Sequence, residues 1–439
     1  MNRRLRWLVP FVFILTMLVP LVTLAADKPA VKAQIEVLSL EQCLDLAVKN
    51  SQQIQSAAKS VEIAQAAVKE AQAGLFPSLS YQYNDTYYTD NSLNGDADQT
   101  ASAGLTLSQP LYTGGRLSNT LKLKKLSLES AREDERKAKE NLTFGVKQAY
   151  YQYWSALQMR VVAQNSYDNL SRHVDQVNAF FKVGTVSRYD LLKAQVQRDS
   201  LKPQLVSAQN AVSLAKLGLA TLIGKDKNQD FEVKIDLAQI KVPDQNAIDF
   251  NATLNTAYQN RSELRKIQQT AQITKLTTAI TAAAYVPTIN LSAAYSGTER
   301  GSNAFPNTDK LGLSFSLTVN GTLWNGGATQ AKVAQSKGNE ELTAIQESAL
   351  RDQIRTEVEQ SLQGITLGIE TTKANQANID LAKEGLRMAQ ARYDNGMGTT
   401  MDIMDAELAL DTALNGYYSG VSNYLTAVAK LDMVVANDK

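Results

Sequence analysis

Cysteine, histidine and proline are scarce in this chain of 439 residues, and its charges nearly cancel. The one cysteine, Cys43, cannot form an internal disulfide. The one histidine, His173, excludes a multi-histidine metal site within one chain, and its polar surroundings favour a solvated helix residue over a catalytic triad. The 45 basic and 44 acidic residues nearly cancel, so the chain lacks the excess positive charge that would attract nucleic acid. Nine prolines leave room for long helices.

The glycine-containing stretch from Gly218 to Lys225 has the outline of a phosphate-binding loop but not its spacing. Five residues separate Gly218 from Gly224, where such loops have four, and no serine or threonine follows Lys225. We therefore reject a nucleotide site. The sequence predicts no catalytic residues, no metal and no cofactor, so we expect a protein that is not an enzyme.

Residues 1–26 have the layout of a secretory signal peptide. Arg3, Arg4 and Arg6 precede an apolar run from Trp7 to Ala26, which ends in small residues before Asp27. An uncleaved membrane anchor is the alternative, because the run is nearly long enough to span a bilayer. Pro10 and Pro20 weigh against the anchor.

The rest of the chain repeats itself at a fixed distance. The stretch from Gly184 to Ala194 returns 212 positions later as Gly396 to Ala406, and Tyr112-Thr113-Gly114-Gly115 returns as Trp324-Asn325-Gly326-Gly327. Copies of about 200 residues are too long for solenoid units and indicate a duplicated domain half. We expect a first repeat over 27–224, a polar connector over 225–249 and a second repeat over 250–439.

Each repeat contains two stretches with alternating apolar and polar residues, typical of β-hairpins at about 77–110 and 287–323. Leu79, Tyr81 and Tyr83 alternate with Ser80, Gln82 and Asn84, and the second repeat alternates more regularly. Such strands suit a transmembrane barrel, although a half-buried soluble sheet would show the same pattern. Four strands cannot close a barrel, and an open edge cannot lie in lipid, so other copies would have to complete it. Three copies give twelve strands, enough for a lumen.

A long proline-free helical stretch follows each hairpin, over about 116–182 and 328–394. At 1.5 Å per residue each would be a rod of roughly 100 Å. Apolar and small residues recur at a seven-residue stride in the first, as in a coiled coil: Leu121, Leu128, Leu142, Ala149 and Ala156. A glycine turn ends each rod, and return helices follow over about 188–223 and 400–435.

In this order, these features resemble the outer-membrane efflux protein family, the TolC-like exit ducts. The most specific elements are the paired hairpins, the Gly-Gly turns and the two tip sequences from glycine to aspartate. The resemblance implies a mainly helical trimer in the outer membrane, with a twelve-stranded barrel continuous with a periplasmic helical tunnel. It also implies passive efflux or type I secretion, with a periplasmic adaptor (membrane fusion protein) and an inner-membrane pump as partners.

Several residues acquire roles through this resemblance. Asp402 and Asp405, three apart on one helix face, match paired aspartates that ring the closed entrance. A trimer would present six carboxylates there, which attract cations. Without the resemblance, the two would be solvated acids at a helix start. Tyr393 and Asp190 match a hydrogen-bonded pair that links the inner and outer hairpins in the closed state.

The chain also departs from the family pattern at the tip. Gly398 stands where the family's inner hairpin carries an arginine, so a second link is in doubt, and Arg188 could supply another. The remaining site residues are turns. We expect adaptor docking at Gly184, Thr185 and Val186 and at Gly396, Met397 and Gly398, and strand-to-helix turns at Gly114, Gly115, Gly326 and Gly327. A secreted coiled-coil scaffold without a channel is the alternative function.

Overall fold

The computed structural model describes residues 36–89, 98–225, 231–235, 240, 242–243, 248–301 and 311–436. The signal peptide predicted over 1–26 lies outside these residues, as does most of the connector predicted over 225–249. The described helices are α1 Leu40–Asn50, α2 Gln52–Ala73, α3 Arg116–Lys182, α4 Arg188–Ile223, α5 Phe250–Asn260, α6 Ser262–Ala282, α7 Ala328–Asp394 and α8 Thr400–Val435. The described strands are β1 Glu36–Leu38, β2 Ser78–Tyr87, β3 Gln99–Tyr112, β4 Phe231–Val233, β5 Thr288–Arg300 and β6 Gly312–Asn320.

The two halves of the chain have the same order of elements. Each has a helix pair, a strand pair, a helix of 67 residues and a return helix of 36 residues. The hairpin registers also correspond: Ser78 pairs with Ser108 in the first, and Thr288 pairs with Asn320 in the second. The first strands are therefore related by an offset of 210 and the second strands by 212.

The four long strands form one antiparallel sheet in the order β2-β3-β5-β6. Because side chains alternate between the faces of a strand, the register sorts them into two surfaces. Tyr81, Leu105, Tyr295 and Leu313 lie side by side across the sheet, as do Leu79, Leu107, Ala293 and Phe315. Ser78, Ser108, Ser292 and Ser316 form a row of the opposite face. One face is thus apolar and the other polar, and among the described residues β2 and β6 are the edge strands, each unpaired on its outer side.

The helices extend from one end of this sheet as two long hairpins, α3 with α4 and α7 with α8. Helix α2 packs on α3, whereas α6 packs between α3 and α7, and α8 also contacts α3. Leu142 of the predicted seam is buried, but Leu121, Leu128, Ala149 and Ala156 are only half-buried. Beyond Leu142 the larger side chains of Val146, Tyr150, Tyr153, Trp154 and Leu157 form the buried stripe.

The sequence predicts continuous helix from Leu40 to about Gly74, but the structure breaks it at Ser51. Ser51 is extended, and its hydroxyl accepts a hydrogen bond from the Ile54 N–H, which starts a new helix. The corresponding break in the second half is at Arg261, whose guanidinium contacts Glu263 and Glu357 instead. Burial would raise the pKa of Glu263, but hydrogen bonds from Arg261 and Lys137 lower it to about 2.

The polar connector contains a short strand that the sequence does not reveal. Strand β4 pairs in parallel with β1, and Phe231 is buried against Tyr153, whose hydroxyl donates to the Phe231 carbonyl oxygen (3.0 Å). Cys43 is buried in the same cluster, where burial raises the pKa of its thiol to about 11. This apolar cluster lies beside the middle of α3.

Pro203 lies inside α4, which continues as helix on both sides of it. Proline inside a helix removes one backbone hydrogen bond, so the sequence predicts a kink at this position. By length and composition alone, α4 is the one helix among the described residues that could cross a membrane.

Candidate functional site

The ends of the two helical hairpins are built by the same turn. Gly184 and Gly396 both have left-handed backbone (φ 83° and 69°), which glycine adopts without strain. Each donates its N–H three residues back, to Phe181 and Tyr393 carbonyl oxygens (3.0 and 2.9 Å). The following residues, Thr185 and Met397, donate to Phe180 and Arg392 carbonyl oxygens. Val186 is half-buried, whereas Thr185 and Met397 are exposed.

A capping box opens each return helix and fixes its first aspartate. The Ser187 N–H donates to Asp190 Oδ2 (3.2 Å), and the Asp190 N–H donates to Ser187 Oγ (3.2 Å). The Thr399 N–H donates to Asp402 Oδ2 (2.8 Å), and the Asp402 N–H donates to Thr399 Oγ1 (3.3 Å). The hydrogen bonds from Ser187 and Thr399 lower the pKa of both carboxyl groups.

Asp402 and Asp405 are exposed on consecutive turns at the start of α8. The capping role of Asp402 explains locally why an acid stands at this position. Asp405 takes no part in the cap. The entrance ring predicted from both residues stays a prediction.

The structure does not contain the direct hydrogen bond expected between Tyr393 and Asp190. Within the described residues, the Asp190 carboxylate accepts from the Ser187 hydroxyl (2.7 Å). The two groups are still close enough for the Asp190 charge to raise the pKa of Tyr393, to which burial contributes most. The capping box engages the carboxylate first because its partners are only three residues away. Any link between Tyr393 and Asp190 is therefore electrostatic in this state.

Tyr393 packs into an apolar cluster that joins the two hairpins. Its neighbours are Val186 and the buried residues Val174, Val177, Leu191 and Ala194, from α3 and α4. Its ring also lies 6.4 Å from the Phe180 ring, between centroids. The cluster therefore connects the end of α7 with the first hairpin.

Gly398 and Arg188 provide no side-chain link at this end. A Cβ at position 398 would lie 2.9 Å from the Tyr393 backbone nitrogen, so the turn has no room for a larger residue. Arg392 instead donates across the turn to the Met397 carbonyl oxygen (3.3 Å). Arg188 is exposed, and none of the ion pairs among the described residues includes it.

His173 is buried, which corrects the sequence interpretation of a solvated residue. It is 4% exposed, and its ring meets the Tyr393 ring edge-on at 4.9 Å between centroids. The polar sequence around it misled because only one stripe of α3 is buried here, and His173 lies on it with Val174 and Val177. Burial lowers the pKa of His173, and the Asp394 charge acts in the opposite direction.

Two half-buried carboxylates between α3 and α8 escaped the sequence analysis. Ser166 donates its hydroxyl to both Asp411 oxygens (2.5 and 2.6 Å), and the Asn169 amide donates to Glu407 (2.8 Å). Burial raises the pKa of both Asp411 and Glu407. Acids at positions 407 and 411 were the available signal, since a spacing of four residues puts both on one face of α8.

The Gly-Gly turns at the other end of the rods all have left-handed backbone. A Cβ on Gly114 would lie 3.1 Å from Val286 Cγ2 and 3.2 Å from the Ala283 carbonyl oxygen. The equivalent positions in the second half, Gly326 and Gly327, have open space beside them. Their neighbour Trp324 is 85% exposed.

Comparisons with known proteins identify relatives along most of the chain. The Escherichia coli K12 outer membrane protein TolC is 25% identical over 378 residues, covering 82% of this chain and 74% of TolC. The alkaline protease secretion protein AprF of Pseudomonas aeruginosa is 23% identical over 408 residues, covering 88% of this chain and 82% of AprF.

The fold is similar to a solved outer-membrane channel. The Campylobacter jejuni CmeC structure matches with a TM-score of 0.79 at 15% identity, over 96% of this chain and 93% of that one. The sequence profile of the family described as outer membrane efflux protein matches residues 43–225 and 253–437. That is well over half of the chain, and it agrees with the outer-membrane location expected from the sequence. This chain therefore belongs to the outer membrane efflux protein family.

Proposed function

We propose that the chain forms a trimeric outer-membrane duct that conducts cargo passively out of the periplasm. The observation that carries the proposal is the four-stranded sheet, apolar on one face, with two unpaired edges, and continuous with two long helical hairpins. Phe315 and Leu317 are 74% and 63% exposed on this face, as lipid-facing residues should be. A soluble scaffold would bury such a face.

The unpaired edges favour closure through further copies of the chain. Unsatisfied strand edges cannot lie in lipid, and twelve strands from three copies enclose a lumen. The pairing of β3 with β5 within one chain is the template for the pairing of β6 with β2 between copies. In the repeat, β6 is the equivalent of β3, and β2 is the equivalent of β5. Ala103 pairs with Gly297 and Leu107 with Ala293 within the chain. The offset of 212 converts the β3 positions into β6 positions, and the offset of 210 converts the β5 positions into β2 positions. Phe315 of one copy would therefore face Tyr87 of the next, and Val319 would face Tyr83.

The helical end is the proposed entrance. Asp402 and Asp405 would repeat around the trimer axis as a ring of six carboxylates that attracts cations. The two tip turns, with Gly184, Thr185 and Val186 in one and Gly396, Met397 and Gly398 in the other, would form the docking surface for the adaptor. The Tyr393 cluster would hold the second hairpin against the first in the closed state.

Efflux and protein secretion are both compatible with this duct. The family is described as outer membrane efflux protein, whereas AprF is named as a secretion protein, and nothing in the described lumen-side residues selects a cargo. We propose a periplasmic adaptor and an inner-membrane pump as partners, because a passive duct needs an energy source elsewhere. The adaptor and pump that co-purify with the chain would identify the system.

Membrane fractionation with single-channel recording tests the duct against the secreted scaffold. We expect the protein in the outer membrane as a trimer that dissociates only on heating, with discrete conductance steps in planar bilayers. A soluble protein without conductance would favour the scaffold and overturn the duct.

A further inference from the structure

His173 occupies a central position between the two helical hairpins. It belongs to α3, yet its ring meets Tyr393 at the end of α7, at 4.9 Å between centroids. Val174 and Val177, its neighbours on α3, are buried in the apolar cluster that includes Tyr393. The imidazole therefore extends the contact that keeps the ends of the two hairpins together.

The imidazole makes this contact at the expense of its own hydrogen bonds. Neither Nδ1 nor Nε2 of His173 has a partner in the part of the chain that the structure describes. A neutral imidazole has one donor and one acceptor, so both are buried unsatisfied. Native proteins satisfy nearly all such groups, and an exception calls for a functional explanation.

The His173 ring lies beside a groove of about 630 Å³ between α3, α7 and α8, and charged side chains line this groove. The charged groups that face it are Arg172 from α3, Lys383, Arg387 and Asp394 from α7, and Glu407 from α8, with Asp411 one turn further along α8. Asp394 already accepts hydrogen bonds from Gln176 and Gln390 (2.9 and 3.0 Å). Acceptors for an imidazolium are thus nearby but outside the apolar contact.

We propose that His173 is a proton-sensitive positioning residue for tip closure. Neutral, it packs against Tyr393 and holds the hairpins together. When Nδ1 or Nε2 takes a proton from solvent, the cation leaves the apolar contact for the Asp394 or Glu407 carboxylate, and the packing of α7 on α3 loosens. The proposal rests on the proposed duct, because it assigns an opening signal to the duct's entrance.

The direction of the pH effect follows from the burial. Since burial lowers the pKa of His173, its packing contribution is complete above the ordinary histidine value of about 6.5 and is lost as pH falls below it. Glu407 and Asp411 act oppositely, because their raised pKa means that acid favours their buried, protonated forms. A variant at position 173 therefore separates the histidine effect from the carboxylate effect.

The first test uses the fact that the chain has a single histidine. In protein prepared without a histidine tag, the ring resonances in the NMR spectrum belong to His173 alone. We expect a titration midpoint below about 6.5. A midpoint at or above that value would overturn the proposal, because the ring would not be buried neutral.

The second test compares channel opening at pH 7.5 and pH 5.5 in the parent and in His173→Phe. Phenylalanine keeps a ring against Tyr393 but cannot take a proton. We expect the open fraction of the parent to rise roughly two- to tenfold in acid, as one proton per copy permits, and His173→Phe to lose this rise. Asp199→Asn, a charge change on the exposed side of α4, serves as the control and should respond like the parent.

Equal acid responses in the parent and His173→Phe would overturn the role of His173 while leaving the duct intact. Absence of conductance from all three proteins would instead contradict the duct, and the NMR midpoint would still decide whether His173 is held neutral.

Discussion

The junction between a strand and the following long helix occurs twice in this chain, and the two copies differ in what covers them. In the first half, Gly114 lies against Val286 and Ala283 of the second half. In the second half, Gly326 has nothing beside it, and Trp324 is almost fully exposed. By the repeat offset of 210, Phe76 and Ala73 occupy the positions of Val286 and Ala283, and Phe76 is exposed as well. The second junction is therefore a surface that another copy of the chain can complete.

The sheet shows the same difference between its inner and outer strands. Strands β3 and β5 pair on both sides, whereas β2 and β6 each pair on one side only. Likewise α6 packs on two long helices and α2 on one. Each contact between the halves within one chain is thus a guide to a contact between neighbouring copies in the proposed trimer.

The largest expected effect comes from a charge on the apolar face of the sheet. Leu291→Arg on the inner strand β5 and Phe315→Arg on the edge strand β6 should each cost about 2–4 kcal/mol if they lie near mid-membrane. The measurement is the yield of outer-membrane trimer. Ser316→Arg, on the polar face, is the control and should assemble. Normal trimer yield in both apolar-face variants would contradict the barrel.

Alanine at the two junction glycines tests whether a second copy covers the open one. Gly114→Ala should cost about 1–2 kcal/mol for its left-handed backbone, and about 1–3 kcal/mol more for crowding Val286. Gly326→Ala should cost as much in the trimer if Phe76 of the next copy lies against it. The measurement is the temperature at which the trimer dissociates. A much smaller drop for Gly326→Ala would show that the second junction stays open.

Alternating strands and glycine turns were predictable because both depend on nearby residues. In the structure, α3 begins at Arg116 and α7 at Ala328, directly after the Gly-Gly turns. Both helices end two positions ahead of the left-handed glycines Gly184 and Gly396. The pairing of β1 with β4 was not predictable, since three residues carry too little pattern and their partner is almost 200 positions away.

The tip shows the same limit for individual side chains. The sequence suggested Tyr393 and Asp190 as partners but could not show that Ser187 engages the carboxylate first. Which face of α3 meets α7 decides the burial of His173, and periodicity over a polar stretch does not reveal that face. The duplicated turns were visible, but the contacts between them were not.

A smaller effect is expected where the second tip contacts the first. Tyr393→Phe removes the hydroxyl on which the Asp190 charge of the first hairpin acts, at a cost of about 1 kcal/mol, while the ring keeps its place beside His173. Resting conductance should rise by about fivefold. Arg188→Ala, at an exposed residue outside the ion pairs of the described residues, is the control and should conduct like the parent. If Tyr393→Phe also conducts like the parent, packing alone holds the tip closed.

The smallest effect is expected from the exposed acids of the second tip. Asp402→Ala with Asp405→Ala should weaken block by multivalent cations added from the periplasmic side and leave the trimer assembled. Asp190→Ala removes the equivalent capping carboxylate of the first tip and should leave cation block unchanged. Undiminished block in the double variant would place the constriction elsewhere.

Disulfide cross-linking between copies tests the central claim most directly, namely that β6 of one chain pairs with β2 of the next in the register of β3 with β5. Cys43→Ala removes the only cysteine, so Val319→Cys and Tyr83→Cys can be added on a cysteine-free background. The account predicts covalent dimers and trimers on oxidation, and none when Asn84→Cys on the opposite face replaces Tyr83→Cys. Cross-linking that fails for Tyr83 and Val319 in an assembled trimer, or that forms equally with Asn84, would contradict it.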